Sequence, residues 1–266
     1  SYRGYALFFK ENCLHKIYGG YPPFTVTSSY LRGVQKGSER SVALLNESLY
    51  YKSPTCICRY DGGVPVSISA PLGSEYYKDA VGEALGDIYS VCMSDRNNKR
   101  TLFSFDEQSG VWHKEDGVDV KEFAKCNCNL YFLAKKDGET KLYLSDGEVT
   151  YGNFANVLGG FSLEESVSWL LETGLWGTAL PGNKYYSNIE LRMSVKENTT
   201  VKISFSYDDS GVWEKETEFT AKKTGSYTVP CITRRCDCLK IRIEGKGSAR
   251  LLSIARVYER GSNLNV

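Results

Sequence analysis

"DIYSVCMSDRNNKRTLFSFDEQSGVW", residues Asp87–Trp112, reads as a hairpin with a second turn at its end. Tyr89, Val91, Leu102, Phe103 and Phe105 favour strands, whereas Asp95, Asn97, Asn98 and the Asp106–Gly110 stretch carry turn chemistry. Similar hairpins flank it. Upstream lie "ALFFKENCLHKIYGG" (Ala6–Gly20) and "SLYYKSPTCICRYDGG" (Ser48–Gly63), each with an aromatic pair, a Lys, a short polar turn around a Cys, a Tyr and a double Gly. Downstream lies "NLYFLAKKDGETKLYLSDGE" (Asn129–Glu148). The apolar residues before each first aromatic are Leu7, Leu49, Ile88 and Leu130, spaced by about 40 residues. An all-strand repeat of that period predicts propeller-like blades, none of which can bury its faces alone.

The repeat ends after "NFANVLGG" (Asn153–Gly160). Beyond it, "NIELRMSV", "VKISFSY", "CLKIRIEG" and "ARLLSIARVYE" alternate apolar and polar positions, as in a sandwich of two antiparallel sheets. The expected fold is therefore all-β, with a propeller-like region over 1–160 and a β-sandwich over 161–266. Two stretches also carry weak helical signals. In "SLEESVSWLLETG" (Ser162–Gly174), Ser162 and Glu165 form a capping-box pattern, yet the alternation of Val167, Trp169 and Leu171 suits a strand equally. The other is "SEYYKDAVGEAL" (Ser74–Leu85), weakened by Gly82.

The phrase Ser-Gly-Val-Trp occurs at Ser109–Trp112 and again at Ser210–Trp213, once in each region. It is thus not a copy of one repeating unit. Asp followed by Ser-Gly is turn chemistry, and the Trp just beyond is placed to pack on its hairpin. Ser206, Asp208, Gly211 and Trp213 resemble the Asp box of sialidases with one residue too many, and Ser104, Asp106, Gly110 and Trp112 with two too many. Asp boxes are structural, so the resemblance implies no catalytic role.

The chain has 266 residues, 41% of them hydrophobic and 24% charged, a composition that suits a soluble globular protein with ample core. The 19 tyrosines are the unusual feature: each brings an apolar body with a polar tip. A net charge of +1 supplies no global field for nucleic acid or anionic membrane. No apolar run is long enough to span a bilayer. The start, "SYRGYALFFKENC", lacks the parts of a signal peptide and an initiator Met, which predicts a fragment whose upstream part is missing.

Six of the nine cysteines form Cys-x-Cys pairs, Cys56/Cys58, Cys126/Cys128 and Cys236/Cys238. On a strand each pair would share a face. The spacing is tighter than the usual zinc signature, so reduced thiols acting as small core residues in a reducing compartment are expected, with no metal and no cofactor. His15 and His113 sit beside lysines in hairpins, without a nucleophile elbow. With 32 acidic residues and no P-loop, dinucleotide fingerprint or His-Glu-x-x-His, no catalytic set can be assigned, and the chain reads as a non-enzyme. Two basic stretches are interface candidates. "YLRGVQKGSERS" supplies Arg32, Lys36 and Arg40 and reads as a solvated connection between blades. "TRRCDCLKIR" supplies Arg234 and Arg235 at an edge or loop of the sandwich.

"HKIYG" (His15–Gly19), "RGVQKGSERSVALLNESLYYKS" (Arg32–Ser53), "LFSFDEQSGVWHKED" (Leu102–Asp116), "LYLSDGE" (Leu142–Glu148), "DDSGVWEKE" (Asp208–Glu216) and "VPCITRRCDCLKIRIEG" (Val229–Gly245) resemble phage and prophage proteins of Gram-positive gut bacteria. These are described as tail-hub or packaged-DNA stabilisation proteins. The resemblance spans essentially the whole chain and implies a virion subunit, made in the bacterial cytoplasm. It would assemble as a homo-oligomeric ring with other virion proteins, and touch DNA only locally, in a channel. The alternative is a carbohydrate-binding module using Trp112, Trp169, Trp176 or Trp213 as platforms. A sialidase-like hydrolase is a third reading.

Overall fold

Alternating side chains and Gly/Asp/Asn turns give strands almost throughout in the computed structural model, which describes residues 2, 4–115, 117–136, 138–145, 168–195, 199–232 and 234–260. The protein is all-β. Among the described residues the helical content is two single turns of 3-10 helix, Glu39–Ser41 and Ala70–Leu72. The chain divides into two compact units, Ser1–Tyr151 and Gly152–Val266. The boundary expected near residue 160 lies outside the described residues.

In the first unit the strands form four antiparallel meanders in chain order. The first sheet is β1 (Ala6–Phe9), β2 (Leu14–Tyr18) and β3 (Thr25–Ser29). The second is β4 (Ala43–Leu45), β5 (Ser48–Lys52), β6 (Ile57–Tyr60) and β7 (Val66–Ser67). The third is β8 (Lys78–Leu85), β9 (Ile88–Ser94), β10 (Arg100–Asp106) and β11 (Val111–Glu115). The fourth is β12 (Asp119–Cys126), β13 (Asn129–Lys136) and β14 (Glu139–Ser145). Leu49, Ile88 and Leu130 fall at the start of the second strand of their sheets, whereas Leu7, the first anchor of the repeat, lies in the first strand of its own.

Each consecutive pair of sheets shares a core. Leu14, Tyr51, Cys58 and Tyr60, with Leu7 and Phe9, join the first to the second. Tyr50, Ile57, Tyr89, Val91, Met93 and Phe103 join the second to the third. Cys92, Leu102 and Val120, with Phe123 and Phe132, join the third to the fourth. Burying each large apolar side chain contributes roughly 1.5–3 kcal/mol, so these inter-sheet cores dominate the stability of the unit.

The helical reading of Ser74–Leu85 is corrected here. Lys78–Leu85 is a strand in which Ala80, Gly82 and Ala84 form a small-residue face that is fully buried. A Cβ at Gly82 would stand 3.0 Å from the Ser90 carbonyl oxygen and from the Tyr89 hydroxyl oxygen. Glycine, which lowers helix propensity, is there for strand packing. The other helical candidate is strand over Ser168–Glu172, and its earlier residues lie outside the described set.

The second unit is a two-sheet sandwich. One sheet runs β15–β21–β17–β18, where β15 is Ser168–Glu172, β17 is Thr199–Tyr207, β18 is Glu214–Ala221 and β21 is Leu239–Lys246. The other centres on β16 (Lys184–Val195), which pairs with β19 (Gly225–Pro230), β20 (Arg235–Cys236) and β22 (Ala249–Arg260). Alternate residues of β16 (Ile189, Leu191, Met193), β17 (Val201, Ile203, Phe205, Tyr207) and β21 (Leu239, Ile241, Ile243) fill the core. Trp169 lies over Gly245, where any Cβ would fall inside the indole ring.

Candidate functional site

The Arg32–Ser41 segment holds three of the five interface candidates, and Arg32, Lys36 and Arg40 are exposed, as a solvated connection requires, while half of the segment turns inward. Gly33, Val34, Gln35, Ser38 and Ser41 are buried. A Cβ at Gly33 would sit on the Lys10 carbonyl, which explains the glycine. The buried polar groups are paired: Gln35 N–H donates to the Lys52 carbonyl (2.9 Å), Ala80 N–H to Ser38 Oγ (3.0 Å), and Lys52 N–H to Ser41 Oγ (2.9 Å). Tyr51 donates to the Arg32 carbonyl (2.7 Å) and Tyr89 to the Ser41 carbonyl (2.7 Å). The inward half of this connection is tolerated because the residues around it satisfy its backbone, stitching the first three sheets together.

Its cations point to different partners. Arg32 Nη1 lies 3.7 Å from Cys56 Sγ. Lys36 is exposed, and it is its backbone N–H, not its ammonium, that donates to Glu11 Oε1 at 3.0 Å. Arg40 forms an ion pair with Glu122 of β12. In the sandwich, Arg234 is half-exposed but engaged: it bonds Glu214 through both guanidinium nitrogens at 3.0 and 2.9 Å and lies 4.1 Å over the Tyr207 ring. Arg235 is exposed on β20. Within the first unit, Arg32, Lys36 and Arg40 therefore have separate surroundings.

The surfaces that sequence reasoning missed are the outer faces of the first and fourth sheets. On the first, cross-strand register puts Ala6, Ile17 and Val26 in one row and Phe8, His15 and Ser28 in the next. On the fourth, Leu133 pairs with Leu142, and Tyr131 with Leu144. Phe8 (56% exposed), Val26 (55%), Leu133 (39%) and Leu142 (58%) are left uncovered, and Tyr21, Phe24 and Tyr30 stand exposed around the first sheet. Apolar residues gathered on a sheet face, rather than scattered singly, mark contact surfaces. The period-2 alternation was visible, but it does not tell which of two apolar faces acquires a neighbour.

A cleft of about 750 Å³ opens beside the third sheet, lined by Tyr77, Phe103 and Trp112 together with Glu75, Asp95 and Lys99. Trp112 is anchored there by its Nε1–H, which donates to the Ile68 carbonyl at 2.8 Å, and by Phe105 at 5.0 Å between ring centres. A smaller hollow shares Leu72, Glu75 and Tyr77 with this cleft and reaches Lys52 and Cys56.

At that hollow the thiols of Cys56 and Cys58 lie 3.5 Å apart. The hydrogen bond from Cys58 draws the Cys56 thiol down to about 5, helped by Ser67, Thr55 and Arg32 and opposed by burial. Cys58 is pushed well up because its proton serves that bond and because it is buried. Burial holds the Lys52 amine down to about 8. The other pairs differ. Cys126 and Cys128 are exposed at the β12–β13 turn, while Cys236 is buried, donates to the Lys184 carbonyl at 3.8 Å, and is pushed up to about 11 by that burial. Among the described residues no three His, Cys, Asp or Glu side chains gather as a metal site, and no helix is long and apolar enough to cross a membrane. His15 is half-buried on β2 and shares a 2.8 Å hydrogen bond between Nδ1 and Ser28 Oγ, and His113 is exposed on β11.

No known family profile and no curated protein matches this sequence. Among solved structures, a glycoside hydrolase is similar at 11% identity and a TM-score of 0.31, over 95% of this chain and 82% of that one. A likeness at that level fixes neither fold nor chemistry.

Proposed function

We propose that this protein is a non-enzymatic structural subunit of a phage particle, in its head–tail or tail-hub region, that joins copies of itself through the outer faces of the first and fourth sheets. The carrying observation is that both end sheets of the first unit expose apolar faces, Phe8 and Val26 at one end and Leu133 and Leu142 at the other. Two different faces meeting head to tail generate a ring when the rotation closes. The propeller-like arrangement expected from the repeat belongs to the same proposal, as does the resemblance of "RGVQKGSERS" to virion proteins. A net charge of +1 suits close packing of identical copies and leaves any DNA contact local.

Light scattering over a wide concentration range tests this, with negative-stain images of the large species. The expected result is one closed species. Phe8→Asp and Leu142→Asp each spoil one face, so either variant alone is monomeric, and an equimolar mixture stops at heterodimers. A strict monomer at every concentration, or variants that still form the full ring, overturns the proposal.

The cleft beside Trp112 favours a second reading, a carbohydrate-binding module, because it combines three aromatic rings with two acids and two lysines. A glycan array, followed by tryptophan quenching with the best ligand, tests it. Binding that survives Tyr77→Ala counts against this site.

A further inference from the structure

Cys56 and Cys58 differ from the other cysteines in four ways that are independent of the assembly surfaces. Their sulfurs touch at 3.5 Å. The Arg32 guanidinium stands 3.7 Å from Cys56 Sγ, and the Thr55 hydroxyl 3.8 Å from it. Cys56 is half-buried and lines a hollow next to an open cleft, whereas Cys58 is fully buried behind it. Finally, β6 and the Arg32 segment are both fixed by buried hydrogen bonds, so the three groups are held together rather than meeting by chance. An accessible thiol beside a cation, with a second thiol waiting behind it, is the arrangement that thiol–disulfide exchange needs.

We propose that Cys56 and Cys58 form a redox dithiol whose substrate class is a low-molecular-weight disulfide, with Cys56 attacking and Cys58 resolving. The Cys56 thiolate attacks one sulfur of the disulfide R–S–S–R. A protein–SR mixed disulfide forms, the S–S bond of the substrate breaks, and RS⁻ leaves with the electron pair. Cys58 then gives up its proton and attacks Cys56 Sγ. The Cys56–Cys58 disulfide forms, the Cys56–SR bond breaks, and the departing sulfur takes the proton as RSH. The protein loses two electrons in this sequence and the small disulfide gains them. Arg32 steadies the thiolate before attack. It is a positioning residue, since the transferred atoms are all on sulfur.

The test uses the intact chain. In competitive alkylation with iodoacetamide at pH 6, read peptide by peptide by mass spectrometry, Cys56 should react faster than the exposed pair Cys126 and Cys128. The expected ratio is about tenfold, because a thiol drawn down to about 5 is almost all thiolate at pH 6, an advantage partly offset by the lower nucleophilicity of a low-pKa thiol. The pH–rate midpoint should lie near about 5. Arg32→Gln should move that midpoint upward, which loss of a merely structural contact would not do. With oxidised glutathione as the probe, the wild-type chain should pass to an internal disulfide with no retained adduct, and Cys58→Ser should stop at one stable glutathione adduct on Cys56. Equal alkylation of Cys56 and the exposed pair at pH 6 overturns the proposal. So does a wild-type chain that accumulates the same adduct as Cys58→Ser. The alkylation arm needs no variant, so a misfolded mutant cannot mask the answer.

Discussion

The two Ser-Gly-Val-Trp hairpins share a phrase and differ in what they hold. In the first, Asp106 serves its own turn: its carboxylate accepts from Gln108 N–H (2.9 Å) and from the Ser109 hydroxyl (2.8 Å), with Gly110 in the left-handed region at φ +69°. Trp112 then reaches away from the hairpin, donating to the Ile68 carbonyl just past β7 and so pinning the third sheet to the second. In the second, Asp208 turns outward from its own loop and accepts from the N–H groups of Asp237 (2.6 Å) and Cys238 (3.2 Å) before β21. Trp213 lies under the Arg242 guanidinium at 4.1 Å, on the half-exposed side of its sheet. Turn chemistry specifies a reversal of the chain and no more. The neighbour within reach decides which residue, Asp or Trp, becomes the tertiary tie.

The largest effect that separates the two is on the tryptophans. Trp112→Ala should destabilise the first unit by about 3 kcal/mol, through lost ring packing on Phe105 and an unpaired Ile68 carbonyl. Trp213→Ala should cost under about 1 kcal/mol, the scale of an exposed cation–π contact. Hydrogen exchange reports each unit separately, so global loss of protection in β4–β11 for the first variant and only local change for the second is the expected pattern. Equal costs would mean that the phrase itself, rather than its neighbours, sets the tie.

For the aspartates the order reverses. Asp208→Ala should cost about 1–2 kcal/mol, since two charge-assisted hydrogen bonds to another loop are lost and the left-handed φ of +54° no longer suits the residue. Asp208→Asn keeps an acceptor oxygen and tolerates that backbone, so it should cost less than the Ala change. Urea unfolding of the sandwich unit checks this. A smaller effect is expected at Arg242, which sits over Trp213 and also donates from Nε to Glu172 Oε1 across the β15–β21 pair at 2.8 Å. Arg242→Ala should leave stability within about 1 kcal/mol while making Trp213 fluorescence easier to quench with iodide.

These contrasts mark what the residues disclosed. Alternation along β16, β17 and β21 and the Gly/Asp turns were enough to read an all-β chain and a sandwich. The helical signal at Ser74–Leu85 misled because Ala80, Gly82 and Ala84 are small for sheet packing, a cause that lies in the Tyr89 ring and not in their own neighbourhood. The connection around Gly33 looked solvated throughout because its polarity was visible and its partners, Lys52, Ala80 and Tyr89, were remote in sequence. Arg234 looked available because Glu214, twenty residues earlier, could not be paired with it. The same holds for the thiols: the tight Cys-x-Cys spacing was legible, but the Arg32 contact that singles out one of three such pairs crosses 24 residues.

The smallest effect concerns protons on Asp106. The Ser109 hydroxyl and the turn N–H groups hold its carboxyl below the ordinary 3.8, with His113 nearby adding to the same direction. A carboxylate with a lowered folded-state value contributes stability that is fully present above the unfolded value. That stability is lost as pH falls through the folded value, because the unfolded chain takes up the proton first. The window therefore lies below the ordinary carboxylate range, and neutral pH leaves the turn untouched. Asp106 is half-exposed at the end of β10, where solvent screens it, so the contribution is small and is best read locally rather than from global unfolding. NMR titration of the Asp106 carboxyl checks it, with the Ser109 amide shift following the same midpoint. Ser109→Ala should move that midpoint toward the ordinary value. A midpoint that does not respond to Ser109→Ala would mean that the first aspartate, like the second, takes its character from outside its own turn.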